Sequence, residues 1–588
     1  MRRSDDLLTR WPALNVSARR ARLDSSLQIS AGPLANDLAR AADSAARAAQ
    51  RLWRRDPSAW SRDAAVQKAI ADRLGWMSSP ELMAGSIERL RSFAERVKAD
   101  RFSDVVLLGM GGSSLAPEVL RAILGVAPGW PSFYMLDSTD PAAVRAVATP
   151  PERTLYLLAS KSGTTIEPNS LAAHFRQRLT DSGVARWGDH FVAITDPETE
   201  LDRRAHAEQF RDVFLNPADI GGRYSALSFF GLVPAALMGQ DLEAILGWSL
   251  AMLAAADPGS SDVTANPAAG LGLAIGAGAT SSRDKLTLIV PPAFASFGLW
   301  VEQLIAESTG KKGKGVVPIA GEPLADPASY GTDRLFVRVK VGSDGGAEDS
   351  AIRALKTFAP VAEIAVDEPA ALGAEFLRWE IATTVAGAIL GIDPFDQPNV
   401  QQAKDATQQL LGKYKTTKRL PMAAPDATTP DKIALTLTKT ARSALRGAAD
   451  ALLTMIGQAD YFGLLAYLGP DAAVDQALQA LRRAVRDRTR AATMFGYGPR
   501  YLHSTGQLHK GGADNGVFLI ITATPVEDLP IPGEPFSFGT LELAQAVGDF
   551  AALDAAGRRG LHAHLPTPDV ALLRQLSDML LARLPRSG

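Results

Sequence analysis

Two glycine- and hydroxyl-rich segments carry residue types that suit anion binding. The segments "GMGGSS" (residues 109–114) and "SKSGTTIEP" (residues 160–168) each follow an apolar run and precede a helix-like stretch. Glycines let the backbone approach a ligand closely, and free N–H groups at a helix start attract negative charge. The second segment adds hydroxyl groups and one ammonium group, from Ser160, Lys161, Ser162, Thr164 and Thr165. We predict that both segments hold one phosphorylated ligand.

Other interpretations of these two segments stay open at this point. For "GMGGSS" the rival is a dinucleotide site, with Asp137 at the end of the next apolar run as its ribose acid. Ser114 stands where the third glycine of the dinucleotide pattern belongs, so that pattern is incomplete. A bare tight turn, or a serine- and threonine-rich helix cap without a ligand, also accounts for such segments.

Alternating apolar runs and helix-like stretches predict the elements that position both segments. The runs "DVVLLG", "SFYMLDS", "TLYLLAS" and "HFVAITDP" indicate buried parallel strands with helical crossovers. A second set follows in "KLTLIVPPAF", "GVVPIAGEP", "RLFVRVKVG" and "VAEIAVDEP". Because ligands bind outside the carboxyl ends of the strands in such sheets, the loops after these strands are the expected binding loops.

The fold class expected from this pattern is α/β, with four regions along the chain. We predict a helical N-terminal segment over residues 1–100, a first αβα domain over 101–255 and a second over 256–415. Residues 416–588 are predicted as a mixed αβ region, either a domain of its own or an extension of the second domain. Within that region a long helix is predicted over 430–456.

Composition excludes several classes of function. The chain of 588 residues has a formal net charge of -2, which gives no attraction to nucleic acid or to an anionic membrane. It has no cysteine, so disulfides, cysteine-ligated zinc and iron–sulfur clusters are excluded. The start "MRRSDDLLTRW" lacks an apolar signal region, and the most apolar run, "AILGWSLAMLAAA", is too short to span a bilayer. We expect a cytoplasmic protein that needs no cofactor and binds a small molecule.

Three later motifs, in order with the two loops, resemble those of a known family. They are "IGGRYSALSFFGLVPAA", "EQLIAESTGKKGKG" and "DPFDQPNVQQAK". The two loops resemble the sugar isomerase (SIS) domains of phosphosugar proteins. All five motifs together resemble phosphoglucose isomerase, also called glucose-6-phosphate isomerase, over residues 30–405. With "RLWRRDPSAW" and the long C-terminal part, the chain is most similar to the isomerase half of fused transaldolase–phosphoglucose isomerases, and the transaldolase half is expected to be absent.

The resemblance implies a fold, an assembly and a reaction. It implies two SIS-type, flavodoxin-like parallel-sheet αβα domains, a homodimer with the site near the subunit boundary, and a sugar phosphate ligand. The implied reaction, part of glycolysis and gluconeogenesis, interconverts glucose 6-phosphate and fructose 6-phosphate through ring opening and a cis-enediol. The alternatives are a dual glucose and mannose 6-phosphate isomerase, or a SIS protein that binds phosphosugars without catalysis.

The functional residues of the family match residues of this chain motif by motif. Glu307 is implied as the base that moves a proton between C2 and C1, and Arg223 as the cation that stabilises the enediol. Lys404 is implied in ring opening, and Glu167 as a hydrogen-bond partner of the group that opens the ring. The implied substrate-contacting residues are Gly112, Ser113, Ser160, Lys161, Ser162, Thr165, Gly222, Gln303 and Gln397.

Each proposed catalytic residue also has a purely structural interpretation. Glu307 fits an exposed helix-end carboxylate paired with Lys311 or the next lysine, and Arg223 fits an arginine that holds a loop carbonyl. Lys404 fits a surface lysine on a helix. Glu167 is favourably placed at a helix N-terminus, where the dipole stabilises a negative charge. The motif context favours the catalytic roles.

The ring-opening histidine is missing from its usual place in the family. Downstream of the base glutamate, where the family carries it, this chain has "SYGTDRLFVRVK". The loop "YLHSTGQLHKGG" (residues 501–512) holds two histidines and weakly resembles the family's histidine segment. We predict His503 or His509 as the ring opener, with His503 slightly favoured. The alternative is that both are solvated loop histidines.

A histidine pair near the C-terminus has the spacing of metal ligands. His562 and His564 lie two residues apart, on one face of a predicted strand. No carboxylate–histidine cluster accompanies them in the sequence, where the nearest acids are Asp554 and Asp569. We predict a metal-independent enzyme, with a metal-dependent sugar isomerase as the alternative.

Overall fold

The computed structural model of the chain describes residues 14–342 and 347–585. The opening segment "MRRSDDLLTRW", on which the expectation of no secretory signal rests, lies outside the described residues. Among the residues that are described, no helix is both long and apolar enough to cross a membrane.

The N-terminal segment is mainly helical. Its helices are α1 (Val16–Leu23), α2 (Ala35–Trp53), α3 (Ala64–Ala71), α4 (Ser79–Ala84) and α5 (Ile87–Ala99). Helix α5 buries Ile87, Leu90 and Val97, which recur at the spacing of one helix face. The segment also contains strand β1 (Leu27–Ser30), which the sequence did not predict.

The first sheet is entirely parallel. Its strands are β2 (Asp104–Gly109), β3 (Ser132–Leu136), β4 (Thr154–Ala159), β5 (Phe191–Thr195) and β6 (Asp212–Leu215), in the order β3-β2-β4-β5-β6. The crossover helices are α6 (Leu115–Leu124), α7 (Pro141–Ala146), α8 (Ile166–Asp181) and α9 (Glu200–Ala207). Strands β2, β4 and β5 are buried along their whole length, as expected for a parallel sheet covered on both faces.

The second sheet is parallel except at one edge. Helices α10 (Phe229–Leu237), α11 (Leu242–Ala255) and α12 (Ala269–Thr280) lead to it. Its parallel strands are β7 (Lys285–Ile289), β8 (Val317–Ile319), β9 (Arg334–Val341) and β10 (Val361–Val366). The order is β1-β10-β9-β7-β8, with β1 antiparallel to β10. The helices of this region are α13 (Ala295–Thr309), α14 (Ala347–Leu355), α15 (Leu372–Leu390) and α16 (Val400–Thr417).

The C-terminal region builds a third sheet of its own. Its strands are β11 (Ala427–Thr428), β12 (Ala434–Leu437), β13 (Tyr461–Tyr467), β14 (Ala492–Tyr497), β15 (Gly516–Ala523) and β16 (Arg559–Leu565), in the order β11-β12-β16-β15-β13-β14. Strands β13 to β16 are parallel, and β11 and β12 run antiparallel at one edge. The helices are α17 (Lys439–Leu445), α18 (Ala472–Thr489), α19 (Gly506–Gly511), α20 (Phe538–Ala555) and α21 (Val570–Leu581).

All eight apolar runs predicted as strands of the first two sheets are strands, so the α/β class with parallel sheets is confirmed. We call the regions built on the three sheets the first unit (104–255), the second unit (269–417) and the third unit (427–581). The third unit does not extend the second sheet. The four domain boundaries proposed from the sequence remain predictions.

The long helix predicted over 430–456 is wrong. Strand β12, helix α17 and a 3-10 turn (Ala449–Met455) occupy that stretch. Ile433, Leu435 and Leu437 are buried at a period of two residues, and β12 pairs with β16. Pairing with the sheet therefore outweighs the helix propensity of the neighbouring residues.

The third unit packs against both other units. Helix α20 packs against α16, and α19 packs against α13 of the second unit. The 3-10 turn Arg500–His503, which we call the histidine turn, contacts the 3-10 turn Gly111–Ser113 that follows β2 in the first unit. The three units therefore meet at the carboxyl end of β2.

Candidate active site

A cavity of about 520 Å³ lies where the three units meet. Its walls include the segments that follow strands β2 and β4, where the two predicted binding loops lie. Most of the residues implied by the resemblance line this cavity, although they are far apart in the chain. They are Gly112, Ser113, Ser160, Lys161, Ser162, Thr165, Gly222, Arg223, Gln303, Glu307, Gln397, Lys404 and His503. Their individual roles remain predictions.

The loop after β4 forms a ring of hydroxyl groups at the start of helix α8. The Ser160 hydroxyl accepts a hydrogen bond from the N–H of Gly163 at 3.1 Å and donates to the Thr165 hydroxyl at 3.2 Å. Thr165 is the N-cap of α8, yet no side chain caps the helix there. Uncapped N–H groups and the positive end of a helix 16 residues long therefore face the loop.

Lys161 supplies the positive charge of this loop, but it is paired. Its ammonium group contacts the carboxylate of Asp196 and donates to the carbonyl of Ala218 at 3.1 Å. Burial raises the pKa of Asp196, and the neighbouring Lys161 opposes that rise. Asp196 and the half-buried Arg73 also line the cavity, and neither was predicted from the sequence.

Glu307 lies on helix α13 and projects into the cavity wall. Only 8% of the residue is exposed. One of its carboxylate oxygens lies 3.5 Å from Nη1 of Arg223, and the other lies 3.3 Å from Nε2 of Gln303. The interpretation of Glu307 as an exposed carboxylate paired with Lys311 is therefore wrong. Lys311 instead contacts Asp396 and donates to the carbonyl of Asp393.

Arg223 connects the base candidate to the loop between α15 and α16. Its Nη2 donates to the carbonyls of Pro394 at 2.6 Å and Asp396 at 3.0 Å, and its Nε donates to the Ser308 hydroxyl at 2.8 Å. Its Nη1 donates to Oε1 of Gln397 at 2.9 Å. Arg223 thus does hold loop carbonyls, and these bonds fix its guanidinium beside Glu307 in a buried position.

His503 of the third unit meets Glu167 of the first. Its Nε2 lies 2.7 Å from Oε1 of Glu167, and Nε2 of Gln545 donates to the same oxygen at 2.6 Å. Burial raises the pKa of Glu167, but His503, together with Lys404, outweighs burial and holds that pKa below its ordinary value. Glu167 and His503 are thus in hydrogen-bond contact, and their roles in ring opening remain predictions.

A second, smaller cavity has a volume of about 160 Å³ and is lined by Glu167 and Gln545. His503 and Lys404 line both this cavity and the main one. Gln545 on helix α20 was not predicted, because nothing in its local sequence distinguishes it. Lys404 is exposed on helix α16, so it satisfies the surface-lysine interpretation while also lining both cavities.

The structure removes His509 from the candidates. Only 1% of it is exposed, its Nε2 faces the sulfur of Met494 at 3.1 Å, and its ring packs among Tyr461, Tyr501 and Phe518. Burial holds the pKa of His509 well below its ordinary value. A neutral imidazole sealed in a core is not placed to exchange protons with a ligand. Neither histidine is a solvated loop residue.

Close backbone approaches explain the glycines of "GMGGSS". A Cβ on Gly112 would lie 2.1 Å from the carbonyl oxygen of Gly222, next to Arg223. Gly111 has a φ of +55°, and a Cβ there would lie 2.7 Å from the carbonyl oxygen of His503. These glycines let the loop after β2 touch both the arginine segment and the histidine turn.

The dinucleotide interpretation does not fit the surroundings of Asp137. Both carboxylate oxygens of Asp137 accept hydrogen bonds from Arg500 at 2.7 Å, and Ser114 donates to one of them at 3.3 Å. Asp137 does not line the cavity. It is therefore not available to bind a ribose there.

The histidine pair on β16 surrounds one hydroxyl group. Nε2 of His562 and Nδ1 of His564 each lie 2.8 Å from the Thr522 hydroxyl on β15. Burial lowers the pKa of His562 to about 3. Within the described part of the chain, no group of three or more His, Asp or Glu side chains is arranged to hold a metal ion.

Comparison with known proteins identifies relatives of the chain. A family model described as "Phosphoglucose isomerase" matches residues 74–252. The "Glucose-6-phosphate isomerase" of Rubrobacter xylanophilus is 29% identical over 401 residues, covering 60% of this chain and 92% of that protein. The "Probable glucose-6-phosphate isomerase" of Natronomonas pharaonis is 34% identical over 348 residues, covering 52% of this chain and 79% of that protein.

A solved structure supports the fold. A hypothetical protein from Thermus thermophilus superposes with a TM-score of 0.51 at 23% identity, covering 65% of this chain and 99% of that chain. At this identity the likeness concerns the fold alone.

Proposed function

The chain belongs to the glucose-6-phosphate isomerase family, and we propose that it interconverts glucose 6-phosphate and fructose 6-phosphate. One observation carries the proposal. Glu307 and Arg223, both buried and 3.5 Å apart, line one cavity with the His503–Glu167 pair and the hydroxyl-rich loop. A site that only binds a sugar phosphate has no need of a buried carboxylate beside a guanidinium.

The phosphate group is proposed to bind at the loop after β4. The hydroxyl groups of Ser160, Ser162 and Thr165 and the uncapped start of α8 offer donors to its oxygens. Lys161 is paired with Asp196 and therefore contributes less than a free ammonium group would. Arg73 at the cavity wall adds a second positive charge. This end of the substrate does not react, so its binding serves to orient the carbons.

Ring opening is assigned to His503. Glu167 accepts from Nε2 of His503, and this bond fixes the orientation of the imidazole. Nδ1 of His503 has no hydrogen bond to any described residue and is the nitrogen left to act on the sugar. A proton passes from the 1-hydroxyl to the ring oxygen as the C1–O5 bond breaks, with His503 as the carrier and Lys404 beside it.

Proton transfer between C2 and C1 is assigned to Glu307. Its carboxylate takes the proton from C2, which gives a cis-enediol, and returns a proton to C1 while the O2 hydroxyl proton moves to O1. Arg223 offers a positive charge to the enediol oxygens without reorganising, because four described partners already hold its guanidinium. Gln303 contacts Glu307 and fixes its second oxygen.

Three finer points remain proposals. A dual glucose and mannose 6-phosphate isomerase differs only in the shape of the pocket around C2. The homodimer expected from the family and the closer relation to the isomerase half of fused transaldolase–phosphoglucose isomerases also stay predictions. The non-catalytic sensor is the contrasting class, and it would bind fructose 6-phosphate without converting it.

The test is the rate of fructose 6-phosphate isomerisation by wild type and by Glu307→Gln. Because the amide cannot accept a proton from carbon, we expect kcat to fall by about 1,000-fold, within the range for loss of a general base. A variant that keeps more than about a tenth of the wild-type rate would exclude Glu307 as the base. A wild-type protein that binds fructose 6-phosphate in calorimetry but does not isomerise it would support the sensor.

The same helix offers a matched control in Glu302→Gln. Glu302 is buried and accepts a hydrogen bond from the N–H of Ala320 at 3.0 Å, away from the main cavity. Burial raises its pKa to about 8, so the carboxyl is neutral near pH 7 and an amide closely imitates it. We expect Glu302→Gln to keep the wild-type rate, which would show that loss of rate is specific to Glu307.

A further inference from the structure

The histidine turn is held by side chains from all three units. Arg500, its first residue, donates from Nε and Nη2 to the two carboxylate oxygens of Asp137 in the first unit, at 2.7 Å each. Tyr501 donates to Asp549 of the third unit at 2.7 Å. The carbonyl of His503 accepts from Nε2 of Gln303 in the second unit at 2.7 Å.

Packing alone does not fix the turn in this position. Arg500, Tyr501, Ser504 and Thr505 line a separate cavity of about 470 Å³ that His503 does not line and whose walls include residues of helices α6, α13 and α18. A segment with space behind it can move away from the site unless directional bonds prevent it. The bidentate pair between Asp137 and Arg500 is the strongest such bond on the side of the first unit, because both groups are charged and in fork geometry.

Asp137 is itself rigidly placed. It directly follows strand β3, its side chain is 6% exposed, and the buried Ser114 hydroxyl donates to it at 3.3 Å. Strand β3 pairs with β2, whose following loop touches the carbonyl of His503. Asp137 is therefore a fixed anchor on the first sheet. The turn cannot move away without breaking the bonds between Arg500 and Asp137.

We propose that Asp137 is a positioning residue that acts through Arg500 to hold His503 against Glu167 and in the cavity. The proposal rests on the ring-opening role that the proposed function gives to His503. Asp137 does not touch the cavity, so its effect on the reaction passes through the position of the turn.

The test compares Asp137→Asn with a matched control, Asp460→Asn. Asp460 also accepts two hydrogen bonds from one arginine, Arg559, at 2.7 and 2.9 Å, but this pair lies within the third unit and lines no part of the site. We expect Asp137→Asn to lower kcat for fructose 6-phosphate about 10- to 100-fold with KM changed less than about threefold. The control should stay within about twofold of wild type in both parameters.

A second measurement does not depend on turnover. Diethyl pyrocarbonate modifies accessible imidazoles, and mass spectrometry gives the rate at His503. Release of the turn should raise this rate at least about threefold in Asp137→Asn, while the control leaves it unchanged. Arg500→Lys keeps the positive charge but loses the guanidinium that makes two parallel bonds to Asp137. We expect it to lower kcat and to speed His503 modification as Asp137→Asn does, without a change in net charge.

The outcomes separate the proposal from the proposed function. Wild-type values of both kcat and His503 modification in Asp137→Asn and Arg500→Lys would overturn the positioning role. Faster modification of His503 in a chain whose wild type does not isomerise fructose 6-phosphate would keep the positioning role and reject the function. Equal losses of kcat in Asp137→Asn and Asp460→Asn would assign both effects to general stability and also overturn the proposal.

Discussion

At the scale of single residues, the sequence was informative where functional residues form contiguous motifs. The hydroxyl loop after β4 was predicted from its place after an apolar run. Arg223 and Glu307 were singled out only because their motifs resemble those of the family, and their roles remain predictions. Arg73 and Gln545 could not, since each is an isolated polar residue whose role exists only in three dimensions. The choice between His503 and His509 required burial, which no local pattern distinguishes.

Two buried glutamates should respond to pH in opposite directions. The folded state lowers the pKa of Glu167 and raises that of Glu302 to about 8. A carboxyl whose pKa is lowered on folding stabilises the folded state. This stabilisation is complete at pH values above the usual glutamate pKa and is lost as the pH falls through the folded pKa. A carboxyl whose pKa is raised on folding also stabilises the folded state. This stabilisation is complete at pH values below the usual glutamate pKa and is lost as the pH rises toward the folded pKa.

We therefore expect Glu167→Gln to destabilise the protein most near neutral pH and less at about pH 4. Glu302→Gln should gain stability relative to wild type as pH rises from about 5 to 8, by up to roughly 1.4 kcal/mol per pH unit. Thermal unfolding midpoints of both variants and the wild type across this range test the pair. A parallel pH dependence in the two variants would contradict the opposite environments described for them.

At the scale of elements, buried parallel strands were predictable and edge elements were not. Runs such as "DVVLLG" are apolar throughout because both faces of the strand are covered. Strand β1 is short and only partly buried, so it lacks such a run and gains its structure from pairing with β10. The prediction of a helix over 430–456 was wrong for the same reason. Strand β12 in that stretch depends on pairing with β16, which lies more than a hundred residues away in the chain.

The loop after β2 gives a test of how closely the elements must approach. Gly112→Ala would place a Cβ 2.1 Å from the carbonyl oxygen of Gly222, which is backbone and cannot rotate away. We expect this substitution to push the two loops apart, to destabilise the protein by about 1–3 kcal/mol and to lower activity at least about tenfold. Denaturant unfolding and the isomerase assay give the two quantities.

Gly412→Ala is the matched control for that substitution. Gly412 lies on helix α16 with nothing within 4 Å of an added Cβ, so alanine should stabilise the helix by up to about 1 kcal/mol. A Gly112→Ala protein as stable and active as the Gly412→Ala protein would show that the close approach is not needed.

At the scale of the whole molecule, the candidate site draws on all three units of one chain. Glu167 and the loop after β4 come from the first unit, Glu307 from the second, and His503 from the third. The resemblance predicted a site near a subunit boundary. In the described chain the boundary that carries the site is the one between the third unit and the other two.

A mixing experiment tests whether the site is complete in one chain. Glu307→Gln and His503→Ala chains, each expected to be inactive, are unfolded together, refolded and assayed. If every site uses its own Glu307 and His503, the mixture should have no more activity than the sum of its parts, whether or not the chains pair. Recovery of about a quarter of the wild-type rate, the share expected for random dimers with shared sites, would contradict a site built in one chain.

The carboxylate of Glu167 accepts from His503 and Gln545, which follow it by 336 and 378 residues. The first two units, which hold the hydroxyl-rich loop, Arg223 and Glu307, are synthesised before the two groups that meet Glu167. Under the proposed function, competence for ring opening would therefore be acquired late, once the third unit has folded onto the others. A nascent or truncated chain would carry the proposed phosphate-binding loop and the proposed base without the proposed ring opener.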